Sequence, residues 1–149
     1  MYRHILVPTD GSLVSARAEK AAIDVAKKYK ASITAVHVVA PYSPRALGEI
    51  GGLGPAPLSP DEYRVLAEKR GKAVLKRVVA RARRAKVGAD TILVTSDSPS
   101  EALVNAARET GCDLIVMGSS SRVGIERIFI GSVSSEVLSA TRIATLICH

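Results

Sequence analysis

The residues best suited to chemistry lie late in the chain, in the run Gly118-Ser119-Ser120-Ser121-Arg122-Val123-Gly124-Ile125-Glu126-Arg127-Ile128-Phe129-Ile130-Gly131-Ser132. Glycines let main-chain N–H groups approach an anion with no Cβ in the way, and serine hydroxyls add donors. The run leads into a helical pattern, and a helix amino terminus offers unpaired N–H groups and roughly half a positive charge. Arg122 or Arg127 would add a full cation. The chemistry is the holding of a phosphate or another anion. On composition alone the same run also reads as a flexible connection with no ligand, and both readings stand at this point.

Asp10 is the second candidate. It comes just after the apolar run Ile5-Leu6-Val7-Pro8 and opens Asp10-Gly11-Ser12, where it is either a solvated turn residue or a contact for a ligand. His37 lies inside the apolar stretch 32–39 and reads as a satisfied core histidine before a general base. Cys112 and Cys148 sit far apart in apolar surroundings, without the spacing of a zinc site or redox pair. The chain has no G-x-x-x-x-G-K-[ST] phosphate loop, no G-x-G-x-x-G fingerprint, no G-x-S-x-G elbow and no histidine–carboxylate metal spacing. No catalytic residue and no metal ligand is therefore assigned.

The elements that must position these residues alternate along the chain. Residues 2–9 form a buried strand that ends in the turn, with Ser12 placed to cap the helix after it. Residues 15–30 carry Ala18, Ala21, Ala22, Val25, Ala26 and Tyr29 at helical spacing, with charges opposite. Residues 32–39 are a β-branched second strand, and a strand–helix–strand unit of this length favours parallel pairing through a right-handed crossover. Residues 40–58, rich in proline and glycine, show no helical or strand period and read as a long mobile loop.

Ser59-Pro60-Asp61-Glu62 is a capping-box start for a helix running to about Lys86. Its inward positions are Ala67, Gly71, Val74, Leu75, Val78, Val79, Ala82 and Ala85, and Lys69, Lys72, Lys76, Arg77, Arg83 and Arg84 lie opposite. A third strand spans 90–95. Ser98-Pro99-Ser100-Glu101 repeats the capping-box signal for a helix to Thr110, and a fourth strand covers 114–117. A short helix over 132–141 turns Val133, Val137 and Leu138 inward, and the last strand covers 145–148. Five strands alternating with four helices predict an α/β fold: a single domain over 1–149 with an open, doubly wound, five-stranded parallel sheet, helices on both faces, Rossmann-like. Ligands of such sheets sit beyond the carboxyl ends of the strands where strand order reverses. That puts function on the loops after strands one and four.

Composition agrees. With 149 residues, 47% hydrophobic, one Phe, four Tyr and no Trp, the core must be built from Val, Ile, Leu and Ala. No apolar stretch reaches the ~18 residues of a membrane span, so the expectation is a soluble cytoplasmic protein with no membrane partner. The formal charge of +7 raises a polyanion as partner. Much of that charge lies on the helix ending near Lys86, where a solvated polar face is the plainer reading, and nucleic acid is not the expected partner.

The glycine–serine run resembles the universal stress protein signature of glycine, two residues, glycine, nine residues, glycine and a hydroxyl residue. Gly118, Ser121, Gly131 and Ser132 occupy the four positions, with serine at the second. Ile5-Leu6-Val7-Pro8-Thr9-Asp10-Gly11-Ser12, Val36-His37-Val38-Val39 and Asp113-Leu114-Ile115-Val116-Met117-Gly118 are similar to the family's first, second and fourth strands. The resemblance implies an adenine nucleotide alpha hydrolase-like fold and a stress-response regulator or nucleotide-dependent switch. Its cofactor would be ATP or another adenine nucleotide, with or without Mg. Carried over residue by residue, it implies binding by Pro8, Thr9, Asp10, Val38, Met117, Gly118, Gly131, Ser132, Val133 and Ser134, with Ser121 and Arg122 from the loop. Asp10 would bond at the nucleoside end, the Val38 main chain would read the adenine edge, and Gly131 to Ser134 would hold phosphate. AMP or a cyclic nucleotide is the alternative ligand, and a stress protein acting through its basic helix is the alternative mode. Any hydrolysis would be slow. The resemblance also implies a homodimer through the C-terminal strand, although Arg142-Ile143-Ala144 stands where relatives carry prolines.

Overall fold

The structure is a computed structural model and describes residues 1–50, 58–119 and 130–149. The elements run in the order β1 (His4–Pro8), α1 (Leu13–Tyr29), β2 (Ser32–Val39), α2 (Pro44–Ile50), α3 (Pro60–Arg84), β3 (Ala89–Thr95), α4 (Pro99–Glu109), β4 (Leu114–Gly118), α5 (Ser132–Ala140) and β5 (Ala144–Cys148). The five strands form one sheet in the order β3-β2-β1-β4-β5, every pairing parallel. The chain winds outward from β1 to β3 and then crosses back to β4, so the order reverses between β1 and β4. Among the described residues no helix is long and apolar enough to cross a membrane.

Alternation along the strands divides the core between two faces. Ile5, Val7, Ile33, Leu114 and Val116 pack with Ala18, Ala22 and Ala26 of α1 and Ala82 of α3. Leu6, Val36, Ile115 and Met117 pack on the other face with Leu103, Val104 and Ala107 of α4 and Val137 of α5. Both faces of β1 and β4 are thus covered, which is why they read as unbroken apolar runs. Small residues let the covering helices approach closely. At Gly71 of α3 an added Cβ would lie 2.6 Å from Leu93 Cδ1 and 2.7 Å from His37 Cδ2.

The helix starts differ in how they are capped. Ser12 caps α1 as expected, accepting the Ser15 N–H at 3.1 Å. The Ser59–Glu62 capping box is formed in both directions, at 2.8 and 3.3 Å. Ser98 does not cap α4 with its side chain: Ser96 Oγ takes the Ser98 N–H at 3.1 Å, and Ser100 Oγ donates to Glu136 of α5 at 2.6 Å. Competing local acceptors have displaced the capping box.

Two further expectations are corrected. The stretch 40–58 is not loop throughout, because α2 forms within it. Ser43 Oγ accepts the Ala46 N–H at 3.1 Å, Pro44 opens the first turn, and Ala46 is buried against Val39, Tyr63 and Ala67. Residues 51–57 of that stretch lie outside the described residues. In α5, Val137 is fully buried but Leu138 is 38% exposed. One residue advances a helix by ~100°, which carries Leu138 past the seam. At the end of α3, Lys86 takes φ +60° and stops the helix at Arg84.

Candidate functional site

β1 ends at Pro8, paired with Val36, while β2 continues to Val39. In a parallel strand alternate residues present their amide groups to the same neighbour. The Val36 carbonyl accepts the Thr9 N–H at 2.9 Å, so Val38 turns its own N–H and C=O the same way, into the space beyond the end of β1. At this point a cavity of about 550 Å³ opens over the carboxyl ends of β1 and β4.

Its floor is built by the strand ends. Pro8, Thr9 and Asp10 come from β1, Val36 and Val38 from β2, Met117 and Gly118 from β4. Gly131, Ser132, Val133 and Ser134 enter from the start of α5. The ten described residues that sequence reasoning named therefore line one cavity. Ser121 and Arg122, named with them, lie outside the described residues, as does Arg127.

The two ends of the glycine–serine loop are tied together. The Gly131 N–H donates to Ser119 Oγ at 2.9 Å, and Ser134 Oγ donates to the Gly118 carbonyl at 3.2 Å. These bonds set the first turn of α5 beside β4. Gly131 sits at the N-cap of α5 and brings no side-chain acceptor, and no acidic residue stands in that first turn. The amide donors of the turn and the positive end of the helix dipole are aimed at the cavity, an arrangement that favours an anion.

Gly118 serves a different purpose from the one its place in a phosphate-type loop suggests. A Cβ there would lie 2.7 Å from Val14 Cγ1 and 2.9 Å from the Val14 carbonyl oxygen. The glycine is needed for the close approach of α1 to β4.

The Thr9-Asp10-Gly11-Ser12 turn meets α5 at the same cavity, lining it with Thr9, Asp10 and Ser12. Gly11 takes φ +79°, and the Ser12 N–H donates to Asp10 Oδ1 at 2.9 Å. Partial burial alone would raise the Asp10 pKa. Hydrogen bonds from Ser12 and Ser15 outweigh it, and the carboxyl is held below its ordinary value. Asp10 is accordingly a carboxylate at neutral pH and an acceptor only. His37 is half-buried with Nδ1 2.7 Å from the Thr9 carbonyl, where it acts as a donor and braces the turn from beneath.

Sequence reasoning missed several lining residues. Ser12, Val14 and Ser15 come from the start of α1, and Pro99 and Leu103 from α4. Arg45 of α2 is the other charged residue beside Asp10 among the described lining residues. Ser12 was visible only as a helix cap, and Arg45 was hidden by the reading of its segment as loop. The cations of α3 read as a polar face, Lys69, Lys72, Lys76, Arg77, Arg83 and Arg84, are all exposed. Arg77 reaches the turn after β1, its Nη2 3.0 Å from where a Gly11 Cβ would be.

The sequence profile of the Universal stress protein family matches residues 1–149. The chain belongs to that family. It is 35% identical to universal stress protein MJ0531 of Methanocaldococcus jannaschii over 99% of this chain and 82% of the relative. Among solved structures it is similar to a universal stress protein family member from Burkholderia pseudomallei, at 28% identity and a TM-score of 0.75, covering 98% of this chain and 95% of that one. It is also similar to a universal stress protein solved in complex with cAMP, at 28% identity and a TM-score of 0.69 over 99% and 97% of the two chains. The adenine nucleotide alpha hydrolase-like α/β architecture is common to this universal stress protein and those neighbours.

Proposed function

We propose that this universal stress protein binds an adenine nucleotide in the cavity between β1 and β4 and acts as a nucleotide-dependent stress-response regulator in the cytoplasm. The observation that carries the reading is the pairing, across one cavity, of the α5 amino terminus with an ionised Asp10. An anion donor site and a hydroxyl acceptor site then face the two ends of a nucleotide. Between them the Val38 main chain offers one donor and one acceptor to a base edge, a pattern that adenine complements.

In this reading Gly131, Ser132, Val133 and Ser134 hold phosphate, Asp10 accepts from the ribose, and Pro8, Thr9, Met117 and Gly118 shape the floor. Ser121 and Arg122 are assigned to the phosphate with them. Among the described residues no group of three or more His, Cys, Asp or Glu converges. Mg2+, where ATP brings it, would be carried on the phosphates, and Asp10 is the one carboxylate among the described lining residues. Binding is the role, and hydrolysis is at most slow.

ATP is the first reading of the ligand. AMP or a cyclic nucleotide is the second, favoured by the similar protein solved with cAMP. The test is mass spectrometry of whatever the denatured protein releases, together with thermal-shift titration with ATP, ADP, AMP and cAMP, with and without Mg2+. A released or strongly stabilising adenine nucleotide supports the proposal and fixes the number of phosphates. A protein that is empty and unmoved by all four rejects it.

The same reading includes a homodimer through β5. That strand is a sheet edge with Leu146 41% exposed, and light scattering of the wild type and of Leu146→Lys tests it.

A further inference from the structure

Thr9 is held by every polar group it has. Its N–H donates to the Val36 carbonyl, its carbonyl accepts from His37 Nδ1, and its hydroxyl donates to Glu19 Oε1 at 2.6 Å. The same hydroxyl oxygen accepts the Gly11 N–H at 3.2 Å, in the turn that carries Asp10. Glu19, on the second turn of α1, is only 3% exposed. Its other oxygen pairs with Arg81 of α3, whose side chain is 46% exposed. Neither Glu19 nor Arg81 lines the cavity.

A buried carboxylate is costly to desolvate, and an ion pair there commonly stabilises a fold no better than apolar residues of similar size. What this one supplies is direction. A hydroxyl has a single proton, and a carboxylate is its strongest available acceptor. With the proton committed to Glu19, a lone pair of Oγ1 is left for Gly11. Ser15 Oγ, 3.2 Å from Thr9 Oγ1, is the weaker alternative.

We infer that Glu19 and Arg81 are positioning residues for the nucleotide site. Glu19 fixes the Thr9 hydroxyl, Thr9 fixes the Gly11 amide and with it the Asp10 turn, and Arg81 holds the carboxylate in place from the outer surface of α3. The inference rests on the function proposed above for its consequence in affinity. Its structural half, the order of the turn, stands independently. A residue on the basic helix thus acts on the ligand site without touching ligand, because a binding constellation is only as well placed as the groups behind it.

The double variant Glu19→Leu with Arg81→Met separates positioning from strut. It removes both charges together, so the fold is retained, while the Thr9 proton turns to Ser15 and the turn loosens. Affinity for ATP and cAMP by calorimetry should fall about tenfold, the effect of losing one charge-assisted hydrogen bond. Amide exchange at Gly11 and Ser12 should rise while exchange in the sheet stays as in the wild type. Arg81→Lys alone, which keeps both Glu19 and a cation beside it, should leave both as in the wild type. Unchanged affinity together with unchanged exchange at Gly11 and Ser12 overturns the inference and leaves the pair as a clamp between α1 and α3. If the wild type binds none of ATP, ADP, AMP and cAMP, the function proposal fails and amide exchange alone decides this one. Should the double variant not fold, Thr9→Val removes the same hydroxyl, and unaltered exchange at Gly11 in that protein overturns the inference equally.

Discussion

Gly118 of β4 and Val14 of α1 stand so close that a methyl group on the glycine would lie 2.7 Å from Val14 Cγ1 and 2.9 Å from the Val14 carbonyl oxygen. The side chain can rotate away, but the carbonyl cannot move without shifting the first turn of α1. That turn carries Ser12, Val14 and Ser15 into the cavity wall, so a single contact ties the packing of the sheet to the shape of the site.

Gly118→Ala should therefore destabilise the protein by about 1–3 kcal/mol, the usual cost of overpacking a closed contact. It should also weaken nucleotide binding, because α1 must back away. Gly88→Ala is the control, since a Cβ there meets nothing within 4 Å. Urea denaturation of the two variants is the measurement. Equal stability in both would show that α1 is not seated on Gly118.

The same contact shows what could be read from the sequence. Gly118 stood out as part of a glycine–serine run, and its place in the cavity was implied by the strand order, but its purpose was not. Close packing between α1 and β4 joins residues about a hundred positions apart, and no local pattern reports it. The strands and most helix starts were legible because they depend on neighbours: the apolar runs of β1 and β4, the Ser59–Glu62 box, the Ser12 cap. Ser98 failed because Ser96, two residues before it, takes the Ser98 N–H that a capping box would give to Glu101. α2 was lost because its seven residues are too few to show a period among prolines and glycines, and Arg45 was lost with it.

Asp113 couples the starts of β1 and β4. Its carboxylate accepts the Arg3 N–H at 2.9 and 3.1 Å and the His4 N–H at 3.0 Å. Slight burial opposes ionisation, but those amide bonds win and hold the carboxyl below its ordinary value. A pKa lowered by folding means that the unfolded chain takes up the proton first. The stabilisation is thus whole above the unfolded value of about 3.9 and is lost as pH falls through the lower folded value. Asp113→Asn should lower stability at neutral pH and flatten its fall between about pH 5 and about pH 2. Denaturant midpoints across that range check it. A variant whose acid profile superimposes on the wild type would remove Asp113 from the account.

Ser119 and Gly131 close the ends of the glycine–serine loop through one hydrogen bond of 2.9 Å, and Ser119 is only 4% exposed. Ser119→Ala takes away the acceptor of the Gly131 N–H at the very start of α5. The stability loss should be about 1 kcal/mol, typical for one neutral hydrogen bond. The effect on phosphate affinity should be larger in proportion, because Gly131 to Ser134 are the residues assigned to phosphate. Calorimetric titration with ATP and with adenosine separates the two ends of the ligand. Weaker ATP binding with unchanged adenosine binding is expected, and an equal loss for both would relocate the phosphate away from α5.

Glu19 and Arg81 should prove unequal partners in stability. When Glu19→Leu removes the carboxylate, the Arg81 guanidinium, already half in solvent, swings out to water, no buried charge is stranded, and the loss should be the smaller of the two. When Arg81→Met removes the cation, Glu19 has no route to water and is left buried with Thr9 as its remaining donor. Breaking a buried pair from that side costs about 3 kcal/mol or more. The double variant relieves the stranded charge and should recover most of the loss, so the two single effects will not add. Denaturant unfolding of the four proteins gives the cycle directly. Additive losses, or a larger loss from Glu19→Leu than from Arg81→Met, would mean that solvent reaches Glu19 freely and that its burial does not set the energetics of the pair.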